Sequence, residues 1–218
     1  MKEILIYVFL GIVQGLTEPL PISSSGHVFV LKKLLGITAS DLNFEIVVNF
    51  GSLLAILLIY KDDLIRLIKN FFMYFKVKNE ETKRDFKYCW LIVLGSIPVG
   101  IMGLLFKDMI EEKLNNMTIV GIAFLVTSLF LLLVSNIRGK RKESDMNIMD
   151  SVVIGLTQVV ALIPGISRSG STLIGGLFRK LDRETALKYS FMLYIPVSVG
   201  TTLLGFKDLL ETSNLHDI

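Results

Sequence analysis

The sequence predicts an all-α, polytopic membrane protein folded as one membrane domain over residues 1–218, and three observations predict it. Apolar residues (AVILMFWYC) make up 52% of the chain, and the mean hydropathy is +0.61. Charged residues amount to 20% of the chain, yet none falls within Ile4–Thr17, Pro19–Leu31, Ile46–Tyr60, Tyr88–Phe106, Leu114–Ile137, Ser151–Ser167 or Tyr189–Phe206. Finally, some of these runs reach the ~20 residues a helix needs to cross ~30 Å of hydrocarbon, and others stop short at a polar cluster. A disordered chain is excluded and an ordinary soluble domain is disfavoured. The single cysteine, Cys89, excludes an internal disulfide and a multi-thiolate metal site; beside Trp90 in an apolar run it reads as inert packing. A net charge of +3 is modest, and in such a chain basic residues set topology rather than bind nucleic acid. The N-terminal run has no small-residue cleavage site, so it does not read as a secretory signal peptide.

The elements follow in order. Ile4–Thr17 is too short to cross and ends at Glu18, Pro19 and Pro21, so residues 1–36 are expected to enter the membrane and turn back. Glu45–Tyr60, Tyr88–Phe106 and Leu114–Ile137 are each expected to cross once, with Asn115 and Asn116 in an external turn. Lys61–Lys87 then carries eight Lys/Arg and Arg138–Lys142 four, both on one side, which the positive-inside tendency makes the cytoplasm. Phe71, Phe72, Tyr74 and Phe75, interleaved with lysines, read as a segment lying on anionic lipid. Were residues 150–180 a single crossing, Arg179, Lys180, Arg183 and Lys188 would lie outside; a segment that turns back keeps them inside. Pro164, Gly165 and the polar run Ser167–Thr172 would break a helix at the depth of that turn. Tyr189–Phe206 is the last expected crossing.

The two broken segments match one another. Pro21-Ile-Ser-Ser-Ser-Gly-His27 aligns with Pro164-Gly-Ile-Ser-Arg-Ser-Gly-Ser171 after one inserted glycine, Gln14 falls near Gln158, and Gly-Leu-Thr occurs at both 15–17 and 155–157. Three crossings between the copies would make the second enter from the opposite face. That is an inverted-topology repeat, with repeat one at 1–137 and repeat two at 150–218, and a site where the broken segments meet. Repeat two is expected to lack its last two spans.

The candidate site collects Gln14, Glu18, Ser23, Ser24, Ser25 and His27 from one segment and Ser167, Arg168, Ser169, Ser171 and Thr172 from the other. Ionisable groups at membrane depth are costly and mark function. Arg168 offers a fork for phosphate oxygens, the hydroxyls add donors, and helices opening from Pro/Gly/Ser loops present free amides, so a phosphate or diphosphate fits. Glu18 could hold a divalent cation shared with that anion or act as a base. His27 or a serine could attack phosphorus or pass protons. Ser23 and Ser167 also suit N-caps of the helices that follow. Gly165–Thr172 is close to a nucleotide P-loop, but Ser171 stands where its lysine belongs and no strand precedes it, so ATP binding is rejected.

At these residues the sequence resembles the bacterial undecaprenyl-diphosphate phosphatase family, the type linked to bacitracin resistance. Its first motif reads here Gln14-Gly-Leu-Thr-Glu18-Pro-Leu-Pro-Ile-Ser23-Ser24-Ser25-Gly-His27, and its second Pro164-Gly-Ile-Ser167-Arg168-Ser169-Gly-Ser171-Thr172. The likeness extends through Phe44–Ser52 and the Pro98 span. It implies a multi-pass enzyme of the bacterial inner membrane that hydrolyses undecaprenyl diphosphate to undecaprenyl phosphate and phosphate, recycling the lipid carrier of cell-wall synthesis, from a site reached at the outer face. It further implies Glu18 in catalysis or metal binding, with Gln14 as the permitted variant, His27 and Ser24 in nucleophilic or proton-transfer roles, Arg168 as diphosphate clamp, and dependence on Mg2+ or Ca2+. Gln14 removes a second carboxylate from that metal scheme. The rival expectations are a transporter for an anionic or lipid-phosphate substrate, built on the same inverted repeat, and an inactive, truncated paralogue.

Overall fold

Why the chain turns where it does is visible in its caps and prolines. The computed structural model describes residues 2–37, 42–106, 109–114 and 116–215; the predicted turn residue Asn115 lies outside them. The described residues are helical with no strand: α1 (Lys2–Thr17), α2 (Ser24–Leu34), α3 (Leu42–Ile59), α4 (Lys61–Met73), α5 (Glu80–Leu105), α6 (Met117–Val134), α7 (Ile148–Val160), α8 (Arg168–Phe178) and α9 (Arg183–Leu215), with a π-helical segment at Ile110–Leu114 and a 3-10 turn at Glu143–Asp145.

Three of these helices are long and apolar enough to cross a bilayer, over Glu80–Leu105, Met117–Val134 and Arg183–Lys207; α3 and α4 qualify together as a pair bent by 75°. The chain is thus a multi-pass membrane protein of the predicted all-α class. α5 starts eight residues before the expected Tyr88, because Asn79 caps it by accepting from the Thr82 amide. α6 is shorter than the apolar run that contains it: Asn116 accepts from the Ile119 amide and sets its start. Phe71 of α4 and Tyr74 just past its end stack on Phe86 of α5, with ring centroids 5.0 and 4.2 Å apart.

The short helices form two hairpins, α1 with α2 and α7 with α8. The second is bound to α5 at backbone distance: a Cβ on Gly155 would lie 2.5 Å from the Gly95 carbonyl oxygen, the close approach that small residues permit between membrane helices. Ser151 and Tyr189 both donate to the Leu91 carbonyl at 2.6 Å, which places α9 against the same crossing. The feet of the hairpin are tied together. Arg141 forms a parallel bridge with Leu181, and its Nη1 donates to the Arg179 carbonyl at 2.8 Å.

The three basic stretches expected on one side do meet at that foot. Lys188 pairs with Asp63 and Glu143 at 2.6 and 3.1 Å, and Arg66 pairs with Glu143 and the buried Asp85 at 3.5 and 3.4 Å. Asp150, fully buried, accepts from Arg141 through both oxygens, from Arg179 at 2.7 Å and from the Asn147 amide at 2.9 Å. Burial alone would raise its carboxyl. The hydrogen bonds from the two arginines outweigh that and hold it below the ordinary carboxylate value, while the bond to Asp150 raises Arg141.

Candidate functional site

Each polar turn is built around one unusual backbone position. Ser23 caps α2 from the left-handed region, φ 65°, accepting from the Gly26 amide at 3.3 Å; non-glycine residues hold that conformation only when their surroundings enforce it. Ser167 caps α8 from extended backbone and accepts from the Gly170 amide at 3.0 Å. The capping roles expected of both serines are therefore present. Gly165 turns at φ 92°, and a Cβ there would lie 2.9 Å from the Val120 carbonyl oxygen.

These two turns touch. A Cβ on Gly26 would lie 3.0 Å from Gly165 Cα, and Ser169 Oγ donates to the Leu20 carbonyl at 3.2 Å. Behind both runs α6, where Thr127 Oγ1 accepts from the Ser167 amide at 3.4 Å and Phe124 packs on His27 with ring centroids 5.0 Å apart. The caps occupy the Gly26 and Gly170 amides. The earlier amides of each helix have no intrahelical acceptor by geometry, and Ser24, Ser25, Arg168 and Ser169 carry them.

In front of the turns lies a cavity of about 390 Å³, lined by Gln14, Glu18, Ser23, Ser24, Ser25, Ser167, Arg168 and Ser169 together with Glu45, Asn49, Tyr194 and Ser198, and by apolar side chains including Val28, Phe29, Leu162 and Val197. Glu18 is its hub. One oxygen pairs with Arg168 Nη2; the other accepts from Ser24 Oγ and, at 3.0 Å, from Gln14 Nε2. Glu18 is only 9% exposed, and its carboxylate is held by three side chains in a largely buried setting.

Not every predicted residue reaches the cavity. His27 is not among its lining residues, and its Nδ1 lies 2.8 Å from the Ser23 carbonyl oxygen; as a donor there, it leaves Nε2 as the proton acceptor. Ser171 Oγ donates to the Ser167 carbonyl, and Thr172 shares a hydrogen bond with Ser190 at 2.6 Å, so both sit behind the cavity in the packing of α8. Gln158, the counterpart of Gln14, is buried without a hydrogen-bond partner for either amide atom: the residue four places on is Leu162, not a carboxylate.

Glu45, Asn49, Tyr194 and Ser198 line the cavity from outside the two motifs. Tyr194 lies under Arg168, its ring centroid 3.8 Å from the guanidinium carbon. Glu45 pairs with Lys32 at 3.1 Å. The sequence signals were a tyrosine inside an apolar run and, for Glu45, an acid at the start of one and within the Phe44–Ser52 likeness.

Whether a divalent cation suits this donor set is decided by the carboxylate count. Among the described residues no three His, Cys, Asp or Glu side chains come together, and Glu18 already faces one cation, Arg168. The set does not form a protein-only cage, but one carboxylate with substrate phosphate oxygens and water is how Mg2+ is commonly held. The residues fit a metal that arrives with a diphosphate.

A model of the family described as "Bacitracin resistance protein BacA" matches residues 7–217. Curated relatives include "Undecaprenyl-diphosphatase 3" of Bacillus anthracis, 47% identical over 215 residues that cover 99% of this chain and 80% of that one. "Undecaprenyl-diphosphatase" of Oceanobacillus iheyensis is 44% identical over 97% of this chain and 78% of its own. "Undecaprenyl-diphosphatase 1" of Halalkalibacterium halodurans is 40% identical over 94% and 75%.

Proposed function

The chain belongs to the bacitracin resistance protein BacA family, and on that premise we propose that it hydrolyses undecaprenyl diphosphate to undecaprenyl phosphate and phosphate, so recycling the lipid carrier of cell-wall synthesis. The observation that carries the chemistry is the sharing of Glu18 between Ser24 and Arg168. The diphosphate binds against Arg168 and the free amides of α2 and α8, where helix ends and a guanidinium favour its charge. Glu18 takes the Ser24 proton as Oγ forms a bond to the terminal phosphorus; the bridging P–O bond breaks and undecaprenyl phosphate leaves. Water then hydrolyses the phosphoserine and frees phosphate and Ser24. Ser24 is preferred to His27 as nucleophile because it lines the cavity and donates to a carboxylate, whereas His27 is engaged with Ser23 and Phe124. Ser23, Ser25, Ser167 and Ser169 are placed to donate to phosphate oxygens.

Mg2+ or Ca2+ is part of the proposal: Glu18, with Gln14 beside it, would hold the ion, which would neutralise phosphate charge. Two inverted re-entrant hairpins are also part of it. The tied feet and the touching tips support that reading, as does length: α7 has 13 residues, about 20 Å at 1.5 Å each, which stops short of crossing a ~30 Å hydrocarbon layer. With the basic foot on the cytoplasmic side of the inner membrane, the site is reached from the outer face.

The test is incubation of the purified, detergent-solubilised protein with polyprenyl diphosphate labelled in the terminal phosphate. Release of labelled phosphate and acid-stable label on Ser24 are expected. No release would sink the hydrolase, and acid-labile label on His27 would sink Ser24 as nucleophile.

A further inference from the structure

We propose that Tyr194 is a positioning residue that holds the Arg168 guanidinium in the plane needed to grip the diphosphate; this rests on the site reading above. A guanidinium carries all five of its N–H donors in its plane. Whatever binds its edge consumes donors, and whatever stacks on its face consumes none. Glu18 takes the edge and Tyr194 the face, 3.8 Å from ring centroid to guanidinium carbon.

The tyrosine is itself rigidly held. It is 3% exposed and clusters with Leu53 and Ile56 of α3, and its hydroxyl donates to the Asn49 carbonyl at 3.3 Å. Burial strengthens a cation–π contact by removing competing water. When a diphosphate competes with Glu18 for the edge of Arg168, the stack is unaffected, so the arginine keeps its orientation as its anionic partner changes. An unsupported arginine would lose side-chain freedom on binding, at a cost in affinity.

The experiment compares the full-length parent with Tyr194→Phe, Tyr194→Leu and Tyr194→Met, alone and in an Arg168→Ala background. It measures binding of inorganic diphosphate with Mg2+ by calorimetry, and KM and kcat for phosphate release. Loss of the ring should weaken diphosphate binding about tenfold and raise KM more than it lowers kcat. Tyr194→Phe, which keeps the ring, should stay within about twofold of the parent, and ring loss should add nothing once Arg168 is gone. Methionine, flexible and of similar bulk, is the ring-free variant to read if leucine fails to fold. The proposal is overturned if both ring-free variants bind diphosphate like the parent, or if their penalty persists without Arg168, as a purely structural role would require. A parent that binds diphosphate without releasing phosphate refutes the hydrolase reading and leaves the Tyr194 result readable from binding; a parent that does not bind refutes both.

Discussion

Asp150 at the foot of the α7–α8 hairpin and Glu18 in the α1–α2 turn that meets its tip are both buried carboxylates facing arginine, yet their surroundings differ in one decisive way. Asp150 is met by two guanidinium groups and a backbone amide, and both arginines are committed to it at 2.6 to 2.9 Å. Glu18 is met by one arginine, an amide and a hydroxyl, beside a cavity of about 390 Å³ lined with further hydroxyls. Saturated charge holds helices together. At the tip, the arginine still has donors to offer and the carboxylate touches a hydroxyl, which under the proposed function it deprotonates.

Substitutions should separate the two ends. The largest effect is expected from Glu18→Gln, which keeps the shape but removes the base and the negative charge: phosphate release should fall on the order of 10³-fold, measured at equal folded protein, with little change in unfolding temperature. Gly165→Ala comes next. Its side chain would meet α6 and its φ of 92° suits glycine, so the α8 tip must shift, and a misplacement near 1 Å costs roughly 10²-fold in kcat.

At the foot the expected pattern is reversed. Asp150→Ala leaves two partly buried guanidinium groups without their carboxylate and should cost about 3 kcal/mol in unfolding free energy, while phosphate release per folded molecule stays within about twofold. Large activity losses in the folded Asp150→Ala protein would erase the distinction between the ends. The smallest effect concerns acid. Because the Asp150 pKa is lowered by folding, its contribution is complete above the unfolded value of about 3.9 and is lost only as pH falls through the lower folded value. Between pH 7 and 5 the parent and Asp150→Asn should therefore show parallel stability curves, converging only in stronger acid.

The tip was legible in the sequence because charged residues in an apolar run have few explanations: Glu18 and Arg168 stand out by burial cost, Ser24 by the family resemblance, and the internal match between the two segments led us to expect that they meet. Boundaries were less legible. α5 extends back into a charged stretch because Asn79 caps it there, and α6 is trimmed by Asn116; apolar runs mark the hydrocarbon and not the helix. Residues that act through packing were not legible at all. Nothing about Tyr194 distinguishes it from any membrane tyrosine until the fold brings it under Arg168, and nothing in the motifs said that Ser171 and Thr172 would face Ser167 and Ser190 instead of the cavity.

The central claim, that a charge pair left incomplete at the tip performs the hydrolysis while the complete one at the foot does not, is tested most directly by phosphate release from undecaprenyl diphosphate with Mg2+, per folded molecule, for the parent, Arg168→Ala and Asp150→Asn. The account predicts clear release by the parent, a fall of about 10²-fold or more for Arg168→Ala and near-parent release for Asp150→Asn. Release that survives Arg168→Ala would contradict it.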